Sequence, residues 1–274
     1  MNEFLFLLPA FVACLVLTGI HTYLGIHVIA RGVIFVDIAL AQIAALGMTV
    51  AMLAGFELES QTAYFFGLGF TLLGACFFAF FRDDRLPEEA LIGVSFAASS
   101  ALAVLIADRI PHGSEHLKFI LNGNILWVGW GQILKTAIIY SILGFFHYRW
   151  RRPFLLVSNN PVEAHKQGLR LWLWDLFFYA SFGVIITSSV QIGGILLVFS
   201  FLIVPGLVSL LFYDDLQRRL ILGWGVGMAV SVAGIALSYY GDFPTGAAIV
   251  ATFGVFLAGA VVIRKASCFH ASNG

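Results

Sequence analysis

Apolar residues along this chain fall in long blocks rather than in the alternating or 3.6-residue stripes of a soluble domain. The first block runs from Phe4 to Ala30, the second from Val33 to Phe56, the third from Ala63 to Phe81 and the fourth from Ala90 to Ala107. A mixed stretch, Asp108 to Trp130, then carries Trp and Asn-Gly and reads as an interfacial or re-entrant half-helix. A fifth block covers roughly Gln132 to Tyr148 and a sixth Leu169 to Ile192. Gly193-Gly194 separates the sixth from a seventh, Ile195 to Phe212, which contains Pro205. The eighth is Leu220 to Tyr240 and the ninth Ala247 to Val262. About 20 apolar residues of helix cross a bilayer core of about 30 Å. The pattern therefore predicts an all-α, polytopic membrane helix bundle of about nine helices. The mixed stretch and the short seventh block leave the count open between about eight and ten.

The polar clusters between blocks give an orientation. If the ends at Arg31, Arg82, Arg149 to Arg170, Arg218 and Arg264 share one side, that side holds every Lys and Arg except Arg109, Lys118 and Lys135. Basic residues concentrate on the cytoplasmic side. Nine crossings then put the N-terminus outside and the C-terminus in the cytoplasm, in the plasma (inner) membrane.

Composition agrees with this class. The chain has 274 residues, 60% hydrophobic and 11% charged, with 27 Phe; its mean hydropathy is +0.95. Soluble domains carry roughly 25% charged residues. Zero net charge leaves no nucleic-acid footprint. Cys14, Cys76 and Cys268 are single and widely spaced, so no disulfide framework is expected. The N-terminal segment carries Glu3 and lacks the basic cluster of a cleavable leader. The longest polar block is too short to bury a core, so residues 1–265 read as one transmembrane domain and 266–274 as a short cytoplasmic tail, expected to be disordered.

Ionisable groups inside an apolar helix mark an ion or substrate path by default. Asp37 and Gln42 lie in the second block, and His21 and His27 in the first. At 1.5 Å per residue, Asp37 sits about 6 Å from the cytoplasmic end of its helix, Gln42 about 14 Å, and His21 a comparable 12 Å or so up the first helix. Antiparallel neighbours would bring His21 and Gln42 to one level. Each has a plain alternative: Gln42 as a helix–helix hydrogen bond, Asp37 as an acid paired with Arg31 or another base, and His21 as a backbone-bonded core histidine. Asp108, His112, Glu115 and His116 mix acid and imidazole, which suits Zn²⁺, Mn²⁺ or Fe²⁺, or they form a solvated loop. Cys268 and His270 are too few for a site. Ser158 to Arg170 predicts a short capped helix, with Asn160 as N-cap, Pro161 at its first position and Gly168 at its end. Such a helix between two crossings suits docking of a cytoplasmic partner. No phosphate-binding GxxxxGK[ST] loop occurs, and no nucleophile–base pair or intact metal-ligand motif is read within the membrane spans, so the chain is not read as an enzyme, and any ATPase must be a separate chain. A secondary transporter or channel working without ATP is the alternative.

Several motifs in order resemble the ABC-3 family of permease subunits of bacterial zinc, manganese and iron importers. They are Arg31-Gly32 through Ala39-Leu40-Ala41 to Gly47; Ile92-Gly93; Gly123-Asn124-Ile125-Leu126; and Asn160-Pro161 with Ala164 and Gly168. Gly194 to Phe199 followed by Ile203-Val204-Pro205, and Ser238-Tyr239 with Asp242, Pro244 and Gly246-Ala247, complete the set. The resemblance implies a cytoplasmic ATPase docking at Asn160, Pro161, Ala164 and Gly168. It further implies an extracytoplasmic binding protein, a homodimer of permeases, a divalent metal as cargo and no covalently bound cofactor. The family's second helix usually carries Asp and His four apart. Those positions are Ile38 and Gln42 here, and Asp37 stands one residue early. An amide is a poor zinc ligand, so the metal is expected to bind differently, or the cargo to be a chelate or another ion.

Overall fold

A computed structural model describes the backbone of residues 3–81 and 86–272 and the side chains of 5–81 and 86–266. Arg82 and Arg85 of the orientation count lie outside the described residues, as do the side chains of Cys268 and His270. The described chain is all-helical: α1 (Glu3–Arg31), α2 (Val36–Leu53), α3 (Gln61–Phe80), α4 (Glu88–Ala107), α5 (Gly113–Asn122), a 3₁₀ turn at Ile125–Trp127, α6 (Trp130–Arg149), α7 (Arg151–Asn159), α8 (Pro161–Lys166), α9 (Leu171–Phe212), α10 (Leu216–Gly241) and α11 (Thr245–Ser272). Seven of them, α1 to α4 and α9 to α11, are long and apolar enough to cross a membrane. The mixed stretch supplies α5 and the 3₁₀ turn, while 266–272 continue α11 rather than forming a disordered tail.

Helix starts follow local chemistry. Ser60 caps α3 by accepting from the Ala63 N–H at 3.1 Å, and Asp215 caps α10 by accepting from Arg218 N–H at 3.1 Å. Each satisfies a donor that the helix itself cannot.

α9 is two helices in sequence. Gly194 inside it has φ 74° and ψ 168°, values that end one helix and start another. Asp175 and Gly206 are 31 positions apart, about 46 Å along a straight helix. Yet Asp175 bonds Arg31, and Gly206 lies against Gly25, Ile26 and Ile29. Both halves thus reach the same end of α1, and the chain reverses at Gly194. The reversal is wedged against the segment after α5. A Cβ on Gly194 would fall 2.3 Å from Gly123 N, and one on Gly123, itself at φ 64°, would fall 2.1 Å from Gly193 C. Only glycine fits either side of that crossing.

The bundle is built around α9, which packs on α1, α2, α3, α10 and α11, while α2 packs chiefly between α3 and α4. α2 is the most enclosed of the crossing-length helices, with 72% of its apolar window buried. α1 and α2 do not pack along each other. The expectation that α1 and α2 are antiparallel neighbours is therefore corrected: residues 32–35 carry the chain away from α1, and α9 lies against both helices.

Candidate transport path and docking surface

The bundle has two polar ends. One is the Gly123 end, where α5, the reversal at Gly194 and the start of α11 meet. The other is the Arg31 end, where α1, α7 and the start of α9 meet.

At the Gly123 end a cavity of about 470 Å³ opens among α2, α3, α5, α6 and α9, lined by Glu59, Gln61, Tyr64, Asn124, Gln132, Lys135 and Gln191 among others. Lys135 holds its ammonium 4.6 Å from the centre of the Tyr64 ring. A polar line runs inward from there. Ser188 donates to the Val184 carbonyl at 2.8 Å, so Tyr64 Oη, 3.1 Å from Ser188 Oγ, is the donor of that pair. Beside it Tyr140 bonds Ser189, and Ser189 Oγ lies 3.1 Å from His21 Nε2. His21 Nδ1 is 2.8 Å from the Leu17 carbonyl. A carbonyl only accepts, so Nδ1 carries the proton. Ser189 directs its own proton to the Ile185 carbonyl at 2.6 Å, so His21 is held through Nδ1, the backbone-bonded core-histidine arrangement.

The second helix differs. Asp37 is fully buried, and neither carboxylate oxygen has a hydrogen-bond partner among the described residues. The pairing with Arg31 weighed from the sequence does not form, because Arg31 Nη1 meets Asp175 Oδ1 at 2.6 Å. Gln42 is 8% exposed. His112 Nδ1 lies 3.4 Å from Glu115 Oε2, with both side chains about three-quarters exposed. His116 is close in sequence, yet among the described residues no group of three or more His, Cys, Asp or Glu could hold a metal.

At the Arg31 end the segment read as one polar block forms two helices. α7 turns Phe154, Val157 and Ser158 inward and leaves Arg151, Arg152 and Asn159 exposed. α8 is capped as its sequence predicts. Asn160 Oδ1 accepts from Glu163 N–H at 3.0 Å, and Pro161 takes the first position, where no donor is needed. At the other end Gly168 N–H bonds the His165 carbonyl at 3.0 Å and Leu169 N–H the Ala164 carbonyl at 3.1 Å. With Gly168 at φ 81°, this is a Schellman ending. Ala164 is fully buried, whereas Val162 is 66% exposed. Ala164 therefore seats α8, and Val162, His165 and Lys166 present its outer face.

Sequence reasoning missed the cluster beneath α7. Ser158 Oγ accepts from Arg31 Nε at 2.9 Å and bonds His27 Nδ1 at 2.8 Å. Arg31 lies over the Phe178 ring at 4.1 Å. Tyr179 donates to Glu88, and His147 Nε2 bonds Ser181 at 2.8 Å. Asp175 carried a readable signal, a lone acid in an apolar run, the same that drew attention to Asp37. Ser158 carried none.

Apolar helices enclosing a polar line, with short helices presented at one polar end, define a multi-pass membrane permease. The chain belongs to the ABC 3 transport family, which matches residues 3–264. It is 27% identical over 263 residues to a probable iron transport system membrane protein of Haemophilus influenzae, covering 96% of this chain and 95% of that one. It is 26% identical over 267 residues to the manganese transport system membrane protein MntC of Listeria monocytogenes, covering 93% and 90%. Its fold resembles a chain of the solved structure of PsaBC from Streptococcus pneumoniae in complex with Fab, with TM-score 0.79 and 20% identity over 94% and 92% of the chains. It is a transport subunit and not itself an enzyme.

Proposed function

We propose that this chain is the membrane subunit of an ATP-driven importer for a divalent transition metal of the manganese, iron or zinc class, carried free or as a complex. The observation that carries the reading is family membership across 3–264 together with full-length relatives named for iron and manganese transport. α6 and the two halves of α9 raise seven crossings to nine. The basic residues put the Arg31 end in the cytoplasm and the cavity outside, where an extracytoplasmic binding protein delivers cargo. The outer face of α8 docks a separate ATPase, a surface that an ATP-independent carrier has no use for. Two copies of the chain form the path.

Within it, Asp37 and Gln42 of α2 are polar contacts, and His21 of α1 is a third, facing Ser189 of α9. Support comes from Asp37: a buried carboxylate without a partner is costly, and a passing cation or its water offsets that cost. The test is metal content and radiolabelled manganese and iron uptake in a strain lacking this gene, complemented by the wild-type chain or by Asp37→Asn. Wild type restores uptake only when the ATPase is present, and Asp37→Asn restores less at equal membrane abundance. Uptake of neither metal, with zinc equally unaffected, sinks the reading.

A further inference from the structure

The cluster at the Arg31 end is held by two contacts of unequal strength. Arg31 and Asp175 meet at 2.6 Å with side chains only 6% and 1% exposed. Parting them would strip the buried Arg31 of this counter-charge, a cost that keeps α1 joined to the first half of α9. The second contact sets a neutral hydroxyl against the same cation. Ser158 Oγ accepts a hydrogen bond from Arg31 Nε at 2.9 Å and bonds His27 Nδ1 at 2.8 Å. With His27 neutral and Ser158 donating to Nδ1, the ring proton sits on Nε2 and every proton of the trio but that one is placed.

Around it the network is half made. Arg31 Nη2, His27 Nε2, Tyr23 Oη and His147 Nδ1 are buried without a hydrogen-bond partner among the described residues. The Tyr23 ring lies 4.6 Å from that of His27 and 5.5 Å from that of His147, which puts these groups in one place. Buried polar atoms are normally matched. Unmatched ones beside Ser158 mean that its partners can take others, water included, when α7 shifts. The remaining grip on α7 is apolar. Phe154 stacks on His147 at 4.2 Å and meets Trp174 at 5.2 Å, contacts that lack the directionality of a hydrogen bond and tolerate sliding.

We propose that Ser158 is a positioning residue for energy coupling, the point at which motion of α7–α8 is passed to the clamped pair of α1 and α9. The inference rests on the proposed ATPase docking at α8. Ser158 does not touch cargo or nucleotide; it acts by holding α7 in register with Arg31.

The permease is co-expressed with its ATPase, purified as the complex and reconstituted in vesicles with the extracytoplasmic binding protein supplied on the cavity side, and ATP hydrolysis and manganese uptake are both measured. Ser158→Ala is expected to retain the ATPase and its hydrolysis while manganese moved per ATP falls about tenfold. Ser158→Thr, which keeps the hydroxyl, recovers most of the ratio, and Asn159→Ala, its exposed neighbour, leaves it unchanged. Ser158→Cys, close in size but a poor acceptor, gives a second reading should the Ala variant be scarce in the membrane, and is expected to uncouple likewise. A wild-type ratio in the Ala or Cys variant, loss of uptake only in proportion to lost ATPase, or no recovery by Thr overturns the proposal. Failure of the wild-type chain to hold an ATPase would instead strike the docking reading, so the two failures are distinguishable.

Discussion

Replacing Gly194 by alanine probes the reversal of α9. At φ 74° and ψ 168° the residue occupies a backbone region open essentially to glycine alone, and a side chain there costs about 1–3 kcal/mol. The new Cβ would also stand 2.3 Å from Gly123 N and 2.4 Å from Asn122 C. Both are backbone atoms, so one strand of the crossing must move. Strain and displacement together come to about 3–5 kcal/mol, the upper range for a single substitution. Gly193 is the internal control. Its φ is not positive, and the nearest atoms to its added Cβ belong to the Leu197 side chain, Cδ2 at 3.1 Å. Gly193→Ala should change stability by less than about 1 kcal/mol. Both variants, purified in detergent, can be unfolded with increasing SDS and followed by tryptophan fluorescence. Gly194→Ala should unfold at clearly lower SDS, and Gly193→Ala beside the wild type. Equal behaviour of the two neighbours would refute the backbone crossing at Gly194.

Asp175→Asn leaves Arg31 buried without its counter-charge and should lower stability by about 3–5 kcal/mol in the same assay, while the double change Arg31→Met with Asp175→Leu should recover most of it. Val162→Asp should reduce co-purification of the ATPase at normal membrane abundance, whereas Ala164→Asp, which buries a charge under α8, should lower abundance itself; the reverse order would place the docking face elsewhere. Cysteines at Glu57 and Asp242 should react with an impermeant maleimide from outside intact cells, and those at Arg151 and Lys265 only after permeabilisation. Outside labelling of position 151 would invert the orientation.

The crossings were legible because a helix in lipid must be long and apolar, a constraint written directly in composition. The cap and ending of α8 were legible because Asn160, Pro161 and Gly168 act on their own few residues. The reversal at Gly193-Gly194 was marked by glycine. Helix neighbours were not legible. Apolar side chains around a membrane helix say little about which helix each face meets, so the order of α1 and α2 along the chain was mistaken for contact. The same gap hid Ser158, whose importance lies in partners 127 and 131 positions away. Nor does so short a helix as α8 reveal which face is seated, and there the structure buries Ala164.

The Arg31–Asp175 pair joins residues 144 positions apart. At a synthesis rate of about 5–20 residues per second, Arg31 leaves the ribosome roughly 7 to 29 s before its partner. In that interval Arg31 stands at the edge of α1 without Asp175, the acid that meets it in the folded protein. A long side chain at a helix end can extend to the lipid phosphates, so the nascent protein borrows its counter-charge from the membrane. Closure of the pair then draws Arg31 away from the lipid and over the Phe178 ring, and makes the arrival of α9 the step that locks α1 in place.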